Sequence, residues 1–154
     1  MKKVKMVIKV LLLLQILLVF SCTSSKSNVS SAMANKPNSS LTETYWRLSE
    51  LMGQPIVRED NKKEIFMIIK LKDNRVHGFS GCNTFNGMYS LPGETRISFT
   101  KFASTLMACI DMSKENELLE VFEKVDNYAI QGNTLSLNKA RMAPLAKFEA
   151  VLMK

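Results

Sequence analysis

The stretch Gly78-Phe79-Ser80-Gly81-Cys82-Asn83-Thr84-Phe85-Asn86-Gly87-Met88-Tyr89 decides how the chain is read. Three glycines and two asparagines stand here among aromatic residues. Glycine admits positive φ angles or a close backbone approach, and asparagine bonds nearby main chain in turns. The segment therefore reads as a tight structural corner, with buried asparagine side chains bonding main-chain groups. A ligand site at Asn83 and Asn86 is the competing reading.

The flanks of this corner read as short strands. Tyr45-Trp46-Arg47-Leu48 opens the domain. Glu64 to Leu71 is a dense apolar, β-branched run, as expected of a core strand. Asp73-Asn74 makes a turn, and Arg75 to Phe79 continues extended. Pro92-Gly93 marks another turn. Arg96 to Phe102 alternates, with Ile97 and Phe99 on one face and Arg96, Ser98 and Thr100 on the other. Tyr128 to Leu137 reads as a hairpin around Gly132-Asn133, and Leu145 to Leu152 as a closing strand. Only Ser113 to Asp126 breaks the pattern. Leu118, Val121, Phe122 and Val125 fall at i, i+3, i+4 and i+7, one apolar helix face, with Glu117, Glu120, Glu123 and Lys124 elsewhere. Asp111 or Ser113 is placed to cap that helix. The expected fold is mainly β with one α-helix, a small antiparallel β-barrel-like or strongly curved sheet.

The 154-residue chain carries a formal charge of +7, which at first sight points to nucleic acid. Lys2, Lys3, Lys5 and Lys9 account for four of those charges, and residues 1–21 hold no acid. The remainder has 17 basic against 14 acidic residues and no basic run, so a nucleic-acid partner is not expected. Val10 to Phe20 is an apolar run broken only by Gln15, too short to span a bilayer and suited to an export signal. Val19-Phe20-Ser21-Cys22 resembles a bacterial lipobox, which implies cleavage before Cys22 and acylation of that cysteine. The competing reading is a plain secretory signal with a coincidental cysteine. Residues 23–41, rich in serine and asparagine, read as a tether with a reach of roughly 24 Å. The expected organisation is a signal peptide (1–21), a lipidated Cys22 with its tether (22–41) and a folded domain (42–154). Two or more acyl chains give a stable membrane anchor. Thr23 stands where an aspartate often marks inner-membrane retention, so the outer membrane is expected, on either its periplasmic or its surface side.

With Cys22 acylated, Cys82 and Cys109 remain as a pair. An oxidising compartment favours a disulfide between them, worth about 3.6 kcal/mol for a loop of this length by chain entropy. Two buried free thiols are the alternative. A nucleophilic Cys82 needs a base, and His77, the single histidine, lies five residues upstream in an expected strand. The methionines after the signal form no tight cluster for soft metal ligation, and no zinc spacing, phosphate loop or serine elbow occurs. No metal, cofactor or catalytic residue is expected.

Trp46-Arg47-Leu48, the block Gly81-Cys82-Asn83-Thr84-Phe85-Asn86-Gly87 with Tyr89, and the block Ser104-Thr105-Leu106-Met107-Ala108-Cys109 occur in that order. Together they resemble the META/HslJ-like domain. Ile110 departs from that pattern, where proline is frequent, and Glu115 and Glu117 fall where an acidic helix begins in the family. The resemblance implies a small barrel-like fold often found on bacterial envelope lipoproteins. It associates such domains with heat-shock induction and novobiocin resistance, and a eukaryotic relative with parasite virulence. It assigns no catalytic residue. Trp46, Gly81, Asn83, Asn86, Gly87, Tyr89 and Met107 are its motif residues and the candidate binding positions. Three functions follow as expectations. The first is a non-enzymatic envelope lipoprotein that binds an unknown protein or small molecule and protects the envelope. The second is a carrier of a small ligand in a barrel pocket. The third is a thiol-dependent or redox protein.

Overall fold

Alternation of apolar residues builds the sheet. The computed structural model describes residues 39–151; the expected signal peptide, Cys22 and the tether up to residue 38 lie outside them. The strands are β1 (Tyr45–Leu51), β2 (Gln54–Pro55), β3 (Phe66–Lys70), β4 (Arg75–Phe79), β5 (Thr84–Ser90), β6 (Ser98–Ser104), β7 (Asn127–Gln131), β8 (Thr134–Asn138) and β9 (Ala146–Val151). One helix, α1 (Ser113–Lys124), stands between β6 and β7. Eight strands form one antiparallel sheet in the order β6-β5-β4-β3-β1-β9-β8-β7, and β2 pairs with β1. The sheet curls into a half-barrel. Its two edge strands meet at one end, where Arg96 bridges Asn127, Ile97 N–H donates to Asp126 O and Tyr128 N–H donates to Thr95 O.

Two irregularities turn the strands without losing the core. Ser49 is an extra residue in β1 opposite β9, so Leu48 and Leu51 both point inward. A second bulge sits between β5 and β6, with Lys101 at φ +54°. It brings Phe102 to the inner side after Phe99, where simple alternation would place Lys101. Gly87 makes room for that ring: a Cβ there would stand 3.0 Å from Phe102. Phe102 in turn stacks on Phe122 of α1, 5.0 Å between centroids. Phe85 and Phe99 pack on the same helical ring at 5.3 and 5.1 Å. Aromatic pairs at these spacings add to area burial.

Several expectations shift by a few residues. The run from Glu64 becomes strand only at Phe66. The Asp73-Asn74 turn is a 3-10 turn over Lys72–Asn74, with positive φ at Asp73 and Asn74. The fold begins before residue 42: Ser39 N–H donates to Gly132 O, and Leu41 is buried with its carbonyl accepting the Trp46 indole N–H at 2.9 Å. The last three residues of the expected tether therefore belong to the domain. Neither Asp111 nor Ser113 is the cap residue: the N-cap is Met112, with no side-chain cap bond, and Asp111 just before it accepts Ser113 N–H at 2.9 Å.

The interior is filled. Trp46, Met67, Ile69, Val76, Phe85, Leu135, Leu137 and Phe148 are all fully buried on the inner face. These side chains take the room that a ligand carried inside the barrel would need, which corrects that expectation. Close packing also explains Gly78: a Cβ there would lie 2.0 Å from Phe66 O, a main-chain atom that cannot swing aside. Gly78→Ala should cost more than about 3 kcal/mol. Gly53→Ala, at φ +79° but with nothing within 4 Å, should cost about 1 kcal/mol. Urea denaturation of the two variants checks this; equal midpoints would contradict it.

Candidate functional site

The corner between β4 and β5 carries a buried polar lock. Asn83, 1% exposed, saturates its side-chain amide. Its Nδ2 donates to Glu115 Oε1 at 2.9 Å and to Met107 O at 3.2 Å. Its Oδ1 accepts from Met107 N–H at 2.8 Å and from the Thr105 hydroxyl at 2.7 Å. Its own N–H donates to Glu115 Oε2 at 2.7 Å. The Ser80 hydroxyl lies 2.7 Å from the same carboxylate oxygen and 2.8 Å from Asn83 O. Its single proton goes to the charged acceptor, which binds more strongly, while Asn83 O also takes Ser80 N–H.

Glu115 is 4% exposed, and among the described residues it has no cationic partner. Burial pushes its carboxyl up. The hydrogen bonds from the Ser80 hydroxyl, from the Asn83 main chain and side chain, and from the Cys82 main chain together outweigh that push and hold it below the ordinary value. The carboxylate is a structural anion, its oxygens occupied by donors. The helical face explains its placement: Glu115, Leu118, Phe122 and Val125 follow one another at spacings of three and four.

The disulfide Cys82–Cys109 fastens the same loop, with Cα atoms 6.0 Å apart. Cys82 is buried and Cys109 exposed. The segment from Thr105 to Cys109 is thus held at both ends, by Asn83 and by sulfur. His77 lies on β4 opposite Ile68 and Asn86, on the face away from Val76 and Gly78. Burial, Lys70 and Arg75 hold its imidazole below the ordinary value, against Glu43. It is not part of the cysteine corner.

Beside the disulfide lies an open cavity of about 1120 Å³. One wall is the loop from Ile56 to Lys63, and the other runs from Ala108 to Asp111. Most charges on the walls are already paired. Arg47 bonds Glu149 at 2.8 Å and Glu64 at 3.5 Å, Arg58 meets Glu64 at 3.5 Å, and Lys62 meets Glu59 at 2.7 Å. Lys63 instead lies over Phe79 and Phe66, 4.5 and 5.8 Å from the ring centroids.

The motif residues fall in different places. Trp46 and Tyr89 are core, too deeply buried to be contact surface. Asn83 is internal, and Met107 uses its main chain in the lock while its side chain is exposed. Gly81, at φ +120°, and Cys109 face the large cavity. Asn86 is exposed, not buried as expected, and with Gly87 it lines a shallow depression of about 350 Å³ near Lys101. Ser80 and Glu115 emerge from the structure as the lock's missing members. Among the described residues no group of His, Cys, Asp or Glu is placed to hold a metal ion.

The META domain family matches residues 39–151, the whole described fold. The chain belongs to the META domain family. Two solved structures share the META fold seen here. An NMR structure of a protein from Burkholderia xenovorans is 23% identical, covers 73% of this chain and 85% of its own, and has a TM-score of 0.59. A second NMR structure is 22% identical, covers 69% and 87%, and has a TM-score of 0.53. Among curated proteins none matches the chain.

The lock gives a pH prediction. A folded-state pKa below the ordinary 4.5 means that Glu115 contributes its full stability above pH 4.5. That contribution is lost as pH falls through the lowered value. Glu115→Gln should cost about 2 kcal/mol at neutral pH, because its amide faces donors. The gap to wild type should narrow below pH 4.5 in urea titrations. A gap that stays constant with pH would refute this reading.

Proposed function

We propose that the protein is a non-catalytic, lipid-anchored protein of the bacterial cell envelope, fixed through Cys22 to the outer membrane. The observation that carries this reading is the Cys82–Cys109 disulfide. A disulfide with one exposed sulfur persists in an oxidising compartment, which supports export and fits the signal-like N-terminus. The chemistry of the corner supports a non-enzymatic role. Cys82 is consumed in the disulfide, Glu115 is saturated with donors, and His77 sits on another face. A thiol-dependent mechanism would need a free thiolate at that position. The domain serves as a rigid platform held off the membrane, and its physiological role is tolerance of envelope stress, including novobiocin, through binding.

Cys22→Ala should abolish globomycin-sensitive processing and move the protein from the membrane fraction to the soluble fraction. Cells lacking the protein should become more sensitive to novobiocin, with sensitivity reversed by the wild-type chain and not by Cys22→Ala. Unchanged membrane fractionation of Cys22→Ala would overturn the anchor. Unchanged novobiocin sensitivity of the deletion strain would overturn the tolerance role.

A further inference from the structure

The Cys82–Cys109 disulfide is presented to solvent from one side only. Cys82 is 5% exposed, while Cys109 is exposed and lines the open cavity. Thiol–disulfide exchange brings a thiolate in line with the S–S bond, so access decides which sulfur is attacked. From solvent, Cys109 Sγ is the reachable electrophile and Cys82 is the leaving group. A thiolate leaving at Cys82 forms buried and close to the Glu115 anion, to which the Cys82 main chain already donates. Both conditions disfavour that thiolate, so small thiols should exchange slowly here. The residues around Cys109 offer contacts that a small thiol cannot use. Leu106 and Ile110 are fully exposed, and Met107 is 62% exposed. Residues 105–109 are neither helix nor strand. Among the described residues, the main-chain groups of Ala108, Cys109 and Ile110 make no hydrogen bond. Such a segment suits a partner that reads it by main-chain bonds and side-chain pockets. The Asn83 bonds to Met107 hold the segment in place before contact, which lowers the ordering cost of docking.

We propose that Cys109 is a thiol–disulfide exchange site for a protein dithiol, an oxidoreductase that carries two cysteines beside an apolar groove. The partner's first thiolate attacks Cys109 Sγ. A bond forms between those two sulfurs as the Cys82–Cys109 bond breaks, and Cys82 leaves with the electron pair and takes a proton from solvent. The partner's second thiol, losing its proton, then attacks the partner's first sulfur and releases Cys109 as a thiolate, which takes up that proton. The partner's dithiol is thereby oxidised to a disulfide by two electrons, and this chain's disulfide is reduced to two thiols. The same steps in reverse install the disulfide. Leu106, Met107 and Ile110 occupy the partner's groove in both directions. The chain is the substrate of this exchange and not its catalyst. The inference goes beyond the anchored-platform reading and does not depend on residues 1–38, so failure of one leaves the other standing.

The test uses the full chain carrying Cys22→Ala, in detergent, which leaves Cys82 and Cys109 as its only cysteines. Thioredoxin whose second active-site cysteine is replaced by alanine should stop at the mixed disulfide, and peptide mapping by mass spectrometry should place that bond on Cys109. Intact thioredoxin should reduce the protein faster than glutathione does at equal thiol concentration. The double variant Leu106→Ser, Ile110→Ser should slow reduction by thioredoxin roughly tenfold, through lost apolar contacts, and leave the glutathione rate unchanged. Both side chains are fully exposed, so an unchanged circular dichroism spectrum is expected. Trapping on Cys82, or reduction by thioredoxin no faster than by glutathione, would overturn the inference. So would a double variant that leaves the thioredoxin rate unchanged or slows both reagents equally.

Discussion

The structure depends on one side chain, Asn83, whose amide makes all four of its hydrogen bonds inside the protein. A buried amide is costly unless every donor and acceptor is met, and here the partners come from distant segments. Met107 and Thr105 come from the stretch after β6, and Glu115 from the first turn of α1. The corner between β4 and β5 is thereby tied to the helix and to the loop that precedes it. Aspartate could not substitute: it would set a second anion against Glu115 and lose both Nδ2 donations.

Glu115 completes the arrangement without a cation among the described residues. Its charge is balanced by oriented hydroxyl, amide and main-chain dipoles, and that set is strong enough to outweigh burial. A buried Lys–Glu pair would add a second desolvation cost. The disulfide acts on the same loop from the other side, and its chain-entropy contribution bears on the unfolded state more than on the geometry of the corner. Lock and disulfide are thus complementary, one specifying a shape and the other lowering the entropy of its loss. Their joint product is a stiff ledge beside an open cavity.

Much of this was legible in the residues. Alternation at Ile97 and Phe99 and the four-residue apolar face of α1 gave the elements their correct type. The glycine-rich corner was readable because Gly78 and Gly87 each leave room for a neighbour that a side chain would strike. What could not be read were the bulges. One extra residue at Ser49 or Lys101 inverts the inside and outside of everything beyond it, and short strands carry little signal for it. The two asparagines shared a composition but not an environment: Asn83 precedes β5, while Asn86 falls on its outer face. Glu115 had a signal, since it lies three residues before Leu118 on the apolar face, where an acidic residue is unusual. Trp46, placed among the motif positions, proved to be a core residue whose one polar atom bonds Leu41. The cavity had no local signature, because it forms only when the loop before β3 folds opposite the loop before α1.

The central claim is that Asn83, more than the disulfide, holds the loop before α1 in place. Amide hydrogen exchange at Met107 tests it most directly, because that N–H is donated to Asn83 Oδ1. Exchange should be slow in the wild-type protein, remain slow after the disulfide is reduced, and become fast in Asn83→Ala. Fast exchange in the oxidised wild type, or protection that vanishes on reduction and survives in Asn83→Ala, would contradict the account.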